Sequence, residues 1–284
     1  AYGHVRWFLD DTAQITDPHF AMDLTSVLVV LGAMLFMVVA CVIDRVGGSF
    51  CVFFERVLRV TRGIEWRMVA GLTGFMLVAN AITGVFLAPN LILSDQDLVS
   101  GAQIVQMVIG LLLILQISFS VAGLLILIVA VVALNTIPLS LLVDYLFEFG
   151  PVALAFILIG PTLCVLDRRL FKLLEINPLP FTPIPLLAIR MGVGAALVVL
   201  AIHNKLMHPG LTLAFLKAYP LNFMSYLGFA SFTDLHFTLA AGVAELTLGI
   251  LLLLGVATRF VTAVLSFFFV LTLIFIGPVE LVGH

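Results

Sequence analysis

Residues 101–134 run for thirty-four positions without one acidic, basic or histidine side chain. A soluble domain has little interior in which to hide a helix that is apolar on every face, whereas lipid is the natural solvent for one. In hydrocarbon each backbone N–H and C=O needs a partner within its own segment, so the chain must cross as helices of ~20 residues. The run has the length of two crossings, 101–117 and 120–138, with a tight turn near residues 116–120 (QISFS). Comparable runs lie near 24–43, 68–88, 151–166, 188–207, 236–254 and 260–278. With 63% hydrophobic and 10% charged residues and a mean hydropathy of +1.26, little remains for a water-facing domain. The predicted class is an all-α membrane protein with eight transmembrane helices.

The few basic residues set the predicted direction, because cytoplasmic loops collect Lys and Arg. Arg45, Arg56, Arg59, Arg62 and Arg67 fall between spans one and two, Arg168, Arg169 and Lys172 between five and six, and Arg259 between seven and eight. The opposite loops hold SDQD at 94–97 and DYLFE at 144–148. Both termini are therefore expected outside, in a bacterial-type inner (cytoplasmic) membrane, and Ala1 suits the residue after a cleaved signal peptide. Net charge is only −3 and the basic residues form no stripe, which excludes nucleic acid as a partner. Cys41, Cys51 and Cys164 lack CxxC spacing and read as packing residues. Two loop segments are expected at the membrane surface. Residues 50–60 form an amphipathic helix along the inner leaflet, and 211–232, broken by Pro220, form an outer lid, re-entrant element or surface anchor.

CVIDR at 41–45 recurs as CVLDR at 164–168, and RMVAG at 67–71 as RMGVG at 190–194, both displaced by 123 residues. GLLLIL at 110–115 matches GILLLL at 249–254, now displaced by 139. The chain therefore reads as two parallel four-span repeats. An external segment 1–23 precedes the first repeat (24–138), and an external linker 139–150 leads to the second (151–284). The ionisable groups belong mainly to the second copy. His203 stands opposite Asn80, Lys205 opposite Ile82, His236 opposite Asp97, Glu245 opposite Gln106 and Arg259 opposite Ser120.

Glu245 falls near mid-bilayer, where a bare carboxylate costs several kcal/mol, so it must be protonated or paired. It is either a packing hydrogen bond or a proton or ligand site. Lys205 can snorkel to the headgroups or pair with Glu245 or Asp234. His203 and His236, expected to approach one another, could supply donors to a quinone carbonyl. Arg67, Arg190 and Arg259 read as structural or anchoring cations, with Arg259 also able to cap the last carbonyls of span seven. No metal site is expected; His4 and His19 form only a weak external candidate.

The second half, roughly 188–284, resembles the DoxX family of small four-span membrane proteins. The resemblance rests on Arg190 in RMGVG, Lys205 in HNKLMHPG, Glu245 in AELTLGILLLLG, Arg259 in ATR, and the closing VELVGH with His284. It implies quinone-linked redox work, while the degenerate first copy favours an accessory role. The leading expectation is a membrane subunit of a redox or respiratory-type complex, not catalytic alone. It binds no cofactor covalently, offers a quinone, proton or lipid site, and has other membrane subunits and lipids as partners. A purely structural or assembly subunit and a proton-coupled carrier are the alternatives.

Overall fold

The computed structural model describes residues 16–46, 64–87, 96–136, 139–177, 183–224 and 226–276. The predicted inner-leaflet helix at 50–60, Ser94 and Asp95 of the acidic loop, His4 and the closing Gly283-His284 lie outside the described residues. Every regular element within them is helical. In chain order these are α1 (Leu24–Val46), α2 (Glu65–Ile82), α3 (Gln96–Ile114), α4 (Phe119–Thr136), α5 (Leu139–Leu163) and α6 (Val165–Leu173). After them come α7 (Ile184–Leu200), a π-helical turn (Ala201–Met207), α8 (Pro209–Ala218), α9 (Asp234–Leu254) and α10 (Thr258–Ile276).

Four segments are long and apolar enough to cross a membrane: Leu24–Val46, Tyr145–Leu163, Ile184–Met207 and Asp234–Leu254. Ser100–Ile114, Phe119–Leu134 and Thr258–Ile274 are shorter apolar helices. α1 shows why lipid is their solvent. Leu28, Leu31, Leu35, Val38 and Val42 are all exposed, a continuous apolar face that water would penalise.

The predicted external linker at 139–150 is helical, because α5 runs unbroken from Leu139 through Pro151 and Pro161. A proline removes one N–H, so the carbonyl four residues earlier, that of Phe147, loses its helical partner. Gly192 packs there: a Cβ on it would lie 2.7 Å from that carbonyl and against the Pro151 ring. Close backbone approach is what lets a membrane helix keep an internal proline.

The chain divides into two compact units, one of residues 1–51 and 193–277 and the other of 52–192 and 278–284. This is not the contiguous division at 139–150 that the repeats suggest. α1 belongs with the last helices of the chain, and α5 and α6 belong with α2–α4.

In the first unit α9 packs against α1, the π turn, α8 and α10. Ala40, Leu248, Leu251, Leu252, Ala257 and Val261 form a buried cluster, with Phe36 and Phe260 at its edge, their ring centroids 5.7 Å apart. The Gly194 carbonyl of α7 lies 2.9 Å from where a Cβ on Gly249 would stand, so the α7–α9 crossing depends on two bare backbones. α9 ends in a left-handed Gly255 (φ 73°), whose N–H reaches Leu252 O at 3.1 Å while Val256 N reaches Leu251 O at 3.0 Å. This Schellman-type turn satisfies the last carbonyls, the task the sequence suggested for Arg259. The Asp44 side chain, at the end of α1, then accepts from Ala257 N at 2.8 Å, just before α10 begins.

In the second unit α2 packs on α3 through Gly74 and Gly110, and α4 packs on α5. The turn after α3 repeats the hydrogen bonds of the turn after α9: Gln116 N to Leu113 O at 3.1 Å and Ile117 N to Leu112 O at 3.0 Å. Gln116 takes the left-handed position (φ 54°) without being glycine. Asp167, fully buried in α6, accepts from the Ser118 hydroxyl, from Phe119 N at 2.8 Å and from Ser120 N at 3.1 Å. Ser118 Oγ also accepts from Val121 N at 3.1 Å. Between them the two side chains satisfy the free N–H groups at the start of α4.

Candidate functional site

The polar residues of the second half gather in the first unit, around the π turn. Residues 201–207 are wound with bonds one residue longer than an α-helix, closing with His208 N to His203 O at 3.2 Å. Such turns displace side chains from the α-helical register and often lie at functional sites. Here the turn carries Lys205 towards α9, where its Nζ donates to Glu245 Oε2 at 2.6 Å. Glu245 lies about 16 Å from the start of α9 at ~1.5 Å per residue, near the middle of that helix. The side chains are 15% and 31% exposed. An ion pair at this depth avoids leaving either charge bare in hydrocarbon.

The corresponding place in the second unit explains why Glu245 is free for this pairing. Gln106, its counterpart, is fully buried and spent on backbone: it accepts from Leu87 N at 2.7 Å and donates to Leu77 O at 3.0 Å and Val85 O at 3.2 Å. Those groups belong to the end of α2 and the turn beyond it, closed by Val85 N to Asn80 O at 2.8 Å, the same five-residue bond as at His208. In the first unit Gly210 N, which corresponds to Leu87 N, is served by Asp17 at 3.0 Å. The one N–H among the three backbone groups that occupy Gln106 is thus satisfied there by a side chain from the amino-terminal segment.

The other predicted site residues separate. His203 Nδ1 lies 3.1 Å from Asn204 Oδ1, and its ring meets His208 edge to face at 5.1 Å. His236 lies instead at the start of α9, where Thr233 caps the helix and its Nε2 is 2.8 Å from Asp23 Oδ2. Asp234 accepts from Asn222 Nδ2 at 2.8 Å, so the carboxylate that meets Lys205 is that of Glu245. Arg190 lies in the second unit with a buried Nε that makes no hydrogen bond among the described residues. Arg67 and Arg259 are exposed near the starts of α2 and α10, and His19 is exposed. Among the described residues no group of three His, Cys, Asp or Glu side chains could hold a metal ion.

Three acidic residues before or at the end of α1 matter to this unit and were not singled out by the sequence. Asp17 pairs with His208 at 2.9 Å and holds Gly210 N; Asp23 caps α1 through Ser26 N at 2.8 Å and pairs with His236; Asp44 caps α10. The Ser26 backbone N–H and then the His236 ring hold the Asp23 carboxyl at about 2, below its ordinary 3.8. The recurrence of Asp44 and Asp167 in CVIDR and CVLDR was a legible signal for the caps. Asp17 and Asp23 had none beyond being acidic.

The segment 211–232 is docked where its helix lies. Leu211, Thr212 and Leu216 of α8 are buried, and Thr212 Oγ1 donates to Asn204 O at 3.3 Å. The helix ends at Ala218, before Pro220, and Tyr226, Leu227 and Phe229 beyond it are exposed. Comparison with protein-family models, with curated proteins and with solved structures finds no match to this chain.

Proposed function

We propose that this chain is an integral membrane subunit of a redox or respiratory-type complex, contributing a quinone or proton site at the Lys205–Glu245 pair while electron carriers come from partner subunits. One observation carries the reading: Glu245 meets a lysine in mid-helix, whereas its counterpart Gln106 is consumed by backbone. A carboxylate not needed to hold the helix break can exchange a proton with the ammonium beside it, turning a charged pair into a neutral one. A quinone carbonyl needs one or two donors at such a place, and Lys205 and His203 are of that kind. The DoxX resemblance around Arg190, Lys205, Glu245 and Arg259 points the same way.

The same reading takes the chain as eight spans in two parallel four-helix repeats, each completed by the other copy's first helix, with both termini outside a bacterial-type inner membrane. The support for the repeats is geometric. Asp44 and Asp167 cap the starts of α10 and α4, and the backbone bonds at 208–203, 255–252 and 256–251 reappear at 85–80, 116–113 and 117–112.

The test is the complex extracted in mild detergent, carrying Glu245→Gln or Lys205→Met. The expected result is loss of co-purifying quinone and of quinone reduction while the subunits stay together. Unchanged quinone content and turnover in both variants would overturn the reading. Dissociation of the subunits with normal turnover in the remainder would favour an assembly role.

A further inference from the structure

A second site lies away from the ion pair, in the second unit. A cavity of about 430 Å³ opens where the Tyr145–Leu163 span ends, bounded by Arg67 of α2, Arg169 of α6, and Ile117, Phe119, Leu163 and Leu166. Two arginines therefore line one hollow whose remaining walls, Gln116 apart, are largely apolar. Neither has an ion-pair partner among the described residues. Asp167, two residues before Arg169, is fully buried and already accepts from Ser118, Phe119 and Ser120. Cys164, which also lines the hollow, is buried and its thiol donates to Gln116 O at 3.6 Å, so it adds no negative charge.

α6 places this hollow at headgroup depth. It is a nine-residue helix that starts directly after the span and exposes Val165, Leu166 and Leu173 beside Arg168, Arg169 and Lys172. Apolar side chains and cations exposed together on a short helix fit the boundary between acyl chains and headgroups, where anionic lipid attracts Lys and Arg. Water would favour the cations and penalise Val165 and Leu173; mid-bilayer would do the reverse. The geometry points to an anionic phospholipid as the occupant: its phosphate lies between Arg67 and Arg169, where bidentate guanidinium bonding suits it, and its acyl chains run along the apolar wall.

The experiment uses the full chain purified from vesicles of equal phosphatidylglycerol and phosphatidylcholine, with retained lipid counted by native mass spectrometry. Wild type is expected to retain phosphatidylglycerol in preference, and R67Q/R169Q to lose that preference by on the order of tenfold, from two cations near an anionic surface. K172Q, which removes a charge from the same helix outside the cavity, keeps it. If the double variant does not stay monodisperse, R169Q alone is read, with partial loss expected. Equal retention of the two lipids by wild type, or an undiminished preference in the Arg67 and Arg169 variants, overturns the proposal. So does displacement of phosphatidylglycerol by millimolar inorganic phosphate, which would make the hollow a site for a free anion.

Discussion

Asp167→Ala should be among the most destabilising single changes in the second unit, and much worse than Asp44→Ala in the first. Asp167 is fully buried and serves three donors, the Ser118 hydroxyl and the Phe119 and Ser120 amides, themselves buried. Hydrogen bonds to a charged acceptor contribute about 1.5–3 kcal/mol each, and buried donors left unmet cost about 1–3 kcal/mol apiece. Relief from burying a carboxylate offsets several kcal/mol of that sum. The net loss is about 3–5 kcal/mol, the range for removing one member of a buried charged arrangement. Asp44 is exposed and serves one amide, that of Ala257, so its loss costs a single helix cap, about 1 kcal/mol. Unfolding in mixed micelles of increasing dodecyl sulfate content measures both, with Asp167→Asn as a shape-matched variant that keeps one acceptor oxygen and falls between. If the two alanine variants lie within about 1 kcal/mol of each other, the capping argument is wrong.

Other consequences follow from the same contacts. Gly249→Ala brings a Cβ to 2.9 Å from the Gly194 carbonyl and from Val198, and should cost about 1–3 kcal/mol, whereas Gly32→Ala, where nothing lies within 4 Å, should be neutral or better in the same unfolding assay. Replacing Gln116, held at φ 54°, by glycine should raise stability by about 0.5–1 kcal/mol; a loss of stability would show that its side chain contributes more than its backbone strain costs. Asp23 titrates from 3.8 down to about 2 on folding, so its contribution is present in full above pH about 4 and disappears as pH falls towards 2. Proteolysis of the segment before α1 should rise over that window in the wild type, and Asp23→Asn should show raised cleavage already at neutral pH. In a double-mutant cycle, Lys205→Met and Glu245→Gln should be non-additive by about 1–3 kcal/mol, since each single change strands the partner; strict additivity would mean that the 2.6 Å contact does not persist in the membrane.

Much of the candidate site could be read in the chain because it is a matter of unlike residues at matching positions. Lys205 stands at the position matching Ile82, and Glu245 at that matching Gln106, which singled both out. What Gln106 does instead was not legible, because its backbone partners Leu77, Val85 and Leu87 come from another helix and the turn after it. The predicted approach of His203 to His236 assumed that residues at one mouth meet. The fold sends His236 to Asp23, at a sequence separation of 213, while His203 stays beside Asn204 and His208. Residues 139–150, with the acidic DYLFE at 144–148, stand outside the apolar runs, and only Gly192 packed against Phe147 O and Pro151 shows how one helix continues through them.

Sequence alone determined that the chain is helical and membrane-borne, and singled out Lys205 and Glu245 within apolar runs. Those properties are local: hydropathy summed over ~20 residues, and the identity of one side chain against another. Tertiary structure decided who meets whom. α1 completes a unit with residues 193–277, the π turn aims Lys205 at Glu245, and Asp44 and Asp167 find helix starts at Ala257 and Ser118. In lipid, apolar faces are nearly interchangeable, so hydropathy cannot choose among helix partners. The choice falls to small residues that admit close contact and to polar groups that must be satisfied, and both act only once the helices are side by side.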